Sequence, residues 1–356
     1  MKELKHILKE LSVTQIYGDQ AKLITAVTAD SREVKAGSLF IAVRGTKCDG
    51  HAFISQAVEA GAAAVICEQL PEVLHEGVTM IVVDDSAAAT GMAASAFYDH
   101  PSRRLRLTGI TGTNGKTTIA TLLYKMFDVL GYKCGLLSTV CNYVFRTRCE
   151  ATHTTPDPVR LNALLAAMVD RGCEYVFMEV SSHAVEQKRI AGLHFAGGIF
   201  TNLTHDHLDY HGTFDNYLAA KKKFFDGLTP EAFALVNNDD RNGSVMIQNC
   251  RASKHTFSMR GMADFRCNII EQGFGGMLLK INGTEVWTRF IGDYNASNLL
   301  AVFGGAILLG ADKEEVLPVL SSLRPVDGRM EVIRSDMGVI GIVDYAHTPD
   351  AVENVI

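Results

Sequence analysis

The chain has 356 residues, 47% of them hydrophobic and 21% charged, with a formal net charge of −6. This composition is that of a globular protein long enough for two or more domains with sizeable cores, and its bulk charge argues against nucleic-acid binding. No apolar run is long enough to span a bilayer, residues 1–6 are too charged for a signal peptide, and the eight cysteines lack paired spacing, so reduced, mostly buried thiols in a cytoplasmic protein without membrane insertion are expected.

In chain order, three blocks stand out. In the first, residues 1–102, apolar runs at 39–43, 63–67 and 80–83 read as buried strands, and 53–60 reads as a helix ended by Gly61. This is the pattern of a small α/β domain. The polar, proline-bearing stretch 99–104 marks a boundary. The second block, residues 103–330, opens with a strand at 105–110, a glycine-rich turn and a helix from Lys116 to about Leu130, with Gly131 as its stop. Short apolar strands follow at 175–178, 198–200 and 234–236, with helical segments between several of them. Such alternation predicts a mostly parallel sheet with helices on both faces. The third block, residues 331–356, holds one apolar strand at 339–343 and a helix start at Thr348-Pro349-Asp350. One strand and part of a helix cannot bury a core, so a third domain is expected of which this chain carries only the start.

The segment Gly112-Thr113-Asn114-Gly115-Lys116-Thr117-Thr118 lies between strand and helix. There the backbone N–H groups of a loop cradle phosphates and the helix N-terminus adds a favourable dipole. Lys116 is placed for the terminal phosphates and the Thr117 hydroxyl for Mg²⁺. Ile110 stands where the strict motif has glycine, so the loop is a variant, and alone it indicates only a nucleoside triphosphate. Glu179 ends an apolar strand, the position from which a carboxylate can hold Mg²⁺, although an exposed strand-end carboxylate has the same appearance. His205, Asp206, His207, Asp209 and His211 crowd seven residues, and metal binding, proton transfer and helix capping all remain open for them. Tyr217, Lys221, Phe224 and Phe225 share a helical face. A lysine on an apolar face has a lowered pKa and can add CO₂ to form an anionic carbamate, but spacing alone favours a solvated run over Lys221-Lys222-Lys223.

These motifs, with His153-Thr154-Thr155-Pro156, Ser181-Ser182-His183, Asp206-His207-Leu208-Asp209-Tyr210-His211-Gly212, Gly292–Asn298, Asp327–Glu331 and Asp344-Tyr345-Ala346-His347, resemble the Mur ligase family along the whole chain. The resemblance is greatest to the type that adds a diamino acid to UDP-N-acetylmuramoyl-L-alanyl-D-glutamate. It implies a UDP-binding first domain, an ATP-binding second domain and a Rossmann-like third. The implied reaction is formation of an acyl phosphate from ATP, displaced by the amine of meso-diaminopimelate or L-lysine, in peptidoglycan precursor synthesis.

By the same resemblance Ala29, Ser31, Thr46, Lys47 and Cys48 hold the UDP part, and His153, Thr154, Thr155, Ser181, Gln187 and Arg189 the muramoyl-dipeptide. Residues 112–118, Asn298, Arg329 and Asp344 take ATP, and Thr117, Glu179, His207 and Lys221, the last as a carbamate, take Mg²⁺. Lys116, Glu179, His207 and Lys221 are the implied catalytic set. The resemblance thus reverses the reading of Lys221 taken from spacing. A monomer is expected, with little ligase activity from a chain that lacks most of the third domain. Two alternatives stand: a folylpolyglutamate- or cyanophycin-type ligase, and a non-catalytic UDP-sugar- or nucleotide-binding module.

Overall fold

The computed structural model describes residues 1–45, 48–151, 153–334, 339–346, 352–353 and 355, and these form two compact units. One comprises Met1–Arg104, Pro156–Asp170 and Glu186–Leu193; the other holds the rest.

The first unit is built on a five-stranded sheet in the order Val13–Tyr17, Thr79–Val83, Ala64–Cys67, Ser38–Ile41, Ala26–Thr28. All neighbours are parallel except the first pair. Side chains alternate across the sheet, so each face builds its own core. Leu39, Ile41, Ile66 and Ile81 pack with Ala89 and Ala93 of the helix Ser86–Phe97, while Phe40, Val65 and Met80 pack with Ile54 and Ala57 of the helix Ile54–Glu59. The predicted helix at 53–60 is thus present, and Gly61 follows it at φ +99°, a conformation that favours glycine. Pro158–Asp170 packs against Ser86–Phe97.

The second unit carries an eleven-stranded sheet. Its seven central strands, in the order Cys134–Leu137, Tyr175–Glu179, Arg106–Thr111, Gly197–Phe200, Phe233–Asn237, Ser253–Ser258 and Phe265–Gly273, are parallel. Two further strands extend each end antiparallel: Asn142–Val144 with Thr147–Cys149, and Gly276–Ile281 with Thr284–Thr288. Helices cover both faces. Ile110, Ile199 and Leu235 meet Leu123 of the helix Lys116–Val129 and Phe303 of the helix Asp293–Leu308. The alternate residues Gly109 and Gly198 face the helix Phe214–Asp226, where any side chain would collide with Phe224.

The helix after the glycine-rich turn spans Lys116–Val129, and Gly131 at φ +94° stops it as expected. In the third block, Ile340–Val343 pairs antiparallel with Glu331–Arg334. The helix start proposed at Thr348-Pro349-Asp350 lies outside the described residues. Among those described, all eight cysteines are free thiols and no helix is long and apolar enough to cross a membrane.

Candidate active site

The Arg106–Thr111 strand runs into the glycine-rich loop, and the helix Lys116–Val129 leaves it. Gly112 has φ +148°, and a Cβ there would lie 1.8 Å from Thr201 Oγ1. Gly115 has φ +89°, and its Cβ would lie 2.5 Å from Asn298 Oδ1. Both positions therefore exclude side chains. The neighbouring strand exit braces the loop: Thr113 N donates to Asn202 O, Asn114 N donates to Asn202 Oδ1 (2.9 Å each), and Thr201 Oγ1 donates to Asn114 O at 2.6 Å. Lys116 Nζ curls back to the loop, donating to Gly112 O at 2.9 Å and Thr113 O at 2.7 Å. Burial of that ammonium lowers its pKa from the ordinary 10.5, opposed by Glu179 and Asp206. Thr117 and Thr118 are buried in the first helical turn.

Glu179 lies at the end of the adjacent strand, opposite Ile110. It is 1% exposed, which rules out a solvated strand-end carboxylate. Its Oε1 accepts from Thr139 N at 2.8 Å and its Oε2 from Thr139 Oγ1 at 3.2 Å. Thr139 Oγ1 also lies 3.1 Å from Thr154 Oγ1, within hydrogen-bonding distance, and Thr155 Oγ1 donates to the Glu179 carbonyl at 2.8 Å. Ser181 N in turn donates to Thr155 Oγ1 at 3.3 Å. Glu179, Thr154, Thr155 and Ser181 thus form one hydrogen-bonded cluster, with His153 exposed beside it.

The helix Phe214–Asp226 is capped by Thr213, whose hydroxyl accepts from Asn216 N. It buries Tyr217, Lys221, Phe224 and Phe225, whereas Lys223 is exposed and Lys222 pairs with Asp226 at 2.7 Å. The solvated-run reading therefore fails at Lys221. This residue is 1% exposed, its Nζ donates to Gly112 O at 2.8 Å, and it lies 4.6 Å from the Tyr217 ring centroid. Burial, reinforced by the Lys116 charge and only partly opposed by Asp206, holds its pKa well below 10.5. The Tyr217 hydroxyl shares a 3.1 Å hydrogen bond with Thr113 Oγ1.

His207 adopts φ +54°; its N–H donates to Asp206 Oδ1 at 2.8 Å, and its ring lies 3.4 Å from the Asp206 carboxylate. Burial lowers its pKa from 6.5, with His183, Lys116 and Lys221 adding to the shift and Asp206 opposing it. The His183 ring lies edge-on to His207, with centroids 4.9 Å apart, and 4.1 Å from Tyr210. His211 Nε2 bonds with Ser182 Oγ at 2.9 Å, while His205 packs on Phe214 instead. Sequence reasoning missed the His183–Tyr210–His211 cluster; the Ser-Ser-His run after Glu179 was its signal. Among the described residues no three His, Cys, Asp or Glu side chains are arranged to hold a metal. One buried carboxylate, Glu179, with the Thr117 hydroxyl suits Mg²⁺, which keeps several waters and shares phosphate oxygens.

Asn298 abuts Gly115 and donates to Asn295 Oδ1 at 3.3 Å. Arg329 reaches Thr117 Oγ1 at 3.5 Å and lies 4.7 Å from the Tyr345 ring centroid. The Asp344 carboxylate accepts from Met330 N and Ala346 N, each at 2.7 Å. The remaining candidates lie in the first unit. Ser31 Oγ donates to Gln56 Oε1 at 3.2 Å, Ala29 and Cys48 are exposed, and Arg189 pairs with Gln187 Oε1 at 2.7 Å. Thr46 and Lys47 lie outside the described residues.

A buried carboxylate and two lysines beside a glycine-rich loop form a distinctive pattern, and comparison with known proteins agrees with the family resemblance. Residues 110–306 match the Mur ligase middle domain, and residues 23–98 match the Mur ligase family catalytic domain. The chain is 58% identical over 354 residues to the UDP-N-acetylmuramoyl-L-alanyl-D-glutamate--2,6-diaminopimelate ligase of Phocaeicola vulgatus, covering 99% of this chain and 73% of that protein. It is 39% identical to the enzyme of the same name from Chlorobaculum tepidum, covering 95% and 70%. A solved structure of a 2,6-diaminopimelate ligase of this name superposes with a TM-score of 0.84 at 28% identity, covering 98% of this chain and 72% of that one. The chain belongs to the Mur ligase family.

Proposed function

We propose that this chain is an ATP-dependent ligase that joins 2,6-diaminopimelate to the D-glutamyl carboxylate of UDP-N-acetylmuramoyl-L-alanyl-D-glutamate, in the cytoplasm, as a monomer. The observation that carries the reading is the convergence of Lys116 and Lys221 on the Gly112 carbonyl, with Glu179 buried nearby. The names of relatives up to 58% identical supply the substrates. In this reading residues 1–102 hold the UDP part, through Ser31 and its neighbours, and residues 103–330 carry the chemistry.

A carboxylate is a poor electrophile, and ATP when bound supplies the phosphoryl group that converts it to an acyl phosphate. Two anions must then meet, so cations dominate the catalysis. Lys116 exchanges its loop carbonyls for phosphate oxygens and neutralises them. Thr117, Glu179 and His207 would hold Mg²⁺. Lys221, whose charged form is disfavoured by burial, would add CO₂ to its Nζ with loss of one proton; the resulting carbamate would supply a second anionic oxygen ligand. Thr154, Thr155 and Ser181 orient the dipeptide through the cluster tied to Glu179, and the amine of the diamino acid displaces phosphate.

Positional isotope exchange in ATP tests the first half-reaction without the diamino acid. Exchange of the β,γ-bridging oxygen that requires the UDP-dipeptide is the expected result, followed by slow amide formation when 2,6-diaminopimelate is added. Absence of both exchange and amide product would overturn the reading.

A further inference from the structure

At the end of the sheet extended by Gly276–Ile281 and Thr284–Thr288 lies a cavity of about 470 Å³ whose lining shares no residue with the glycine-rich-loop site. Three of its lining residues are cationic, Arg260, Arg266 and Lys280, and none is an Asp or Glu. The fold dictates this convergence. Phe265–Gly273 pairs with Gly276–Ile281 so that Asn268 stands opposite Lys280. Arg266, two residues before Asn268, projects from the same face. The alternate residues Phe265, Cys267 and Ile281 are buried in the core, which fixes Arg266, Asn268 and Lys280 on the outer face.

The walls are pinned. Asn282 at φ +43° and Gly283 at φ +89° make the tight hairpin turn, and Asn282 Oδ1 accepts from Arg266 N at 2.7 Å. Ser258 Oγ accepts from Gly261 N at 2.7 Å and Arg260 N at 3.0 Å, shaping the loop that carries Arg260. The nearby Asp239 carboxylate is taken up by Ser258 Oγ and Met259 N. Among the described residues none of the three cations is in an ion pair, even though Glu285 stands opposite Lys280 across the next strand pair, and the Arg266 guanidinium meets only the Met262 thioether, at 3.6 Å. Three like charges around one concavity repel one another until an anion enters, and guanidinium groups match phosphate oxygens in planar, paired hydrogen bonds. The volume exceeds what a single phosphate fills and falls in the range of small-ligand sites.

We propose that this cavity binds a small diphosphate-bearing anion. The test is equilibrium dialysis of the full chain with labelled inorganic pyrophosphate. The expected result is that Arg266→Gln/Lys280→Gln removes one bound equivalent, weakening that site about tenfold or more as for a lost charge-assisted contact. Arg266→Lys, which keeps the charge, retains the equivalent, and a circular-dichroism melt matching that of the unsubstituted chain separates this loss from unfolding. Lys116→Ala leaves the equivalent in place. Orthophosphate binds there about tenfold more weakly, lacking one of the two charged groups. The proposal is overturned if the double variant binds as many equivalents as the unsubstituted chain, or if Lys116→Ala alone removes every bound equivalent, which would place the anion on the phosphate loop.

Discussion

Lys116 and Lys221 donate to the same acceptor: both ammonium groups reach the Gly112 carbonyl, at 2.9 and 2.8 Å. Two cations competing for one neutral oxygen is a costly arrangement in a buried setting. Asp206 favours both charges, and Glu179 favours that of Lys116. The pairing is physically reasonable where one lysine is to meet phosphates and the other is to lose its charge.

A prediction follows from the shared acceptor. In Lys221→Met the Gly112 carbonyl keeps Lys116 as a donor, and a desolvated amine is replaced by an apolar chain of similar length. Stability should therefore stay within about 1 kcal/mol of the parent or rise, while ligation or isotope exchange falls about a hundredfold or more, because a ligand for a catalytic cation is gone. In Lys221→Ala short carboxylates should restore part of the activity. Unchanged turnover in Lys221→Met would remove Lys221 from the mechanism.

Gly112→Ala tests the loop's close approach. The new methyl would sit 1.8 Å from Thr201 Oγ1, which itself holds Asn114 O. Either the loop or the Thr201 strand exit must move, at a cost of about 1–3 kcal/mol. Displaced N–H donors should also weaken ATP binding about tenfold or more, since several aligned amides act together. Calorimetric titration with ATP measures this; an affinity equal to that of the parent would mean that the loop does not cradle the phosphates.

The glycine-rich loop and its flanking strand and helix were legible because the motif is local: glycines, Lys116 and the apolar strand stand within a dozen residues. The shared helical face of Tyr217, Lys221, Phe224 and Phe225 was legible from helical period, but not the burial of Lys221, whose Nζ meets Gly112 O, far away in sequence. Thr139 as partner of Glu179 was invisible for the same reason, because the turn after Cys134–Leu137 meets the end of Tyr175–Glu179 only through sheet pairing. The strands Phe265–Gly273 and Gly276–Ile281 were missed because their exposed faces carry Arg266, Asn268 and Lys280, and a bulge between Ile269 and Glu271 interrupts the alternation. The different surroundings of the histidines depend on the fold, which sets His207 within electrostatic reach of Lys116 and Lys221 and His205 against Phe214.

Thr213→Ala should cost about 1 kcal/mol by removing the N-cap of the helix that carries Lys221. The hydroxyl accepts from Asn216 N at 3.2 Å and touches no candidate catalytic group. The Michaelis constants should be unchanged while the urea midpoint falls. A change in kinetics without a change in stability would mean that the cap acts on the site rather than on the helix.

His100 provides a pH signature of the first unit. It sits at φ +51°, with Nδ1 3.2 Å from Ser95 Oγ and Nε2 3.8 Å from Glu10. Burial foremost, then Arg103 and Lys2, outweigh Glu10 and Asp99 and hold its pKa below the ordinary 6.5. The unfolded chain therefore takes up this proton at a higher pH than the folded chain does. Protonation favours unfolding, so no cost is present above pH 6.5; the cost grows as pH falls through 6.5 and is complete below the folded pKa. His100→Asn tolerates the left-handed backbone and removes the titration. Urea midpoints at pH 7.5 and 5.5 should fall less in the variant than in the parent; equal falls would show that His100 carries none of the acid sensitivity.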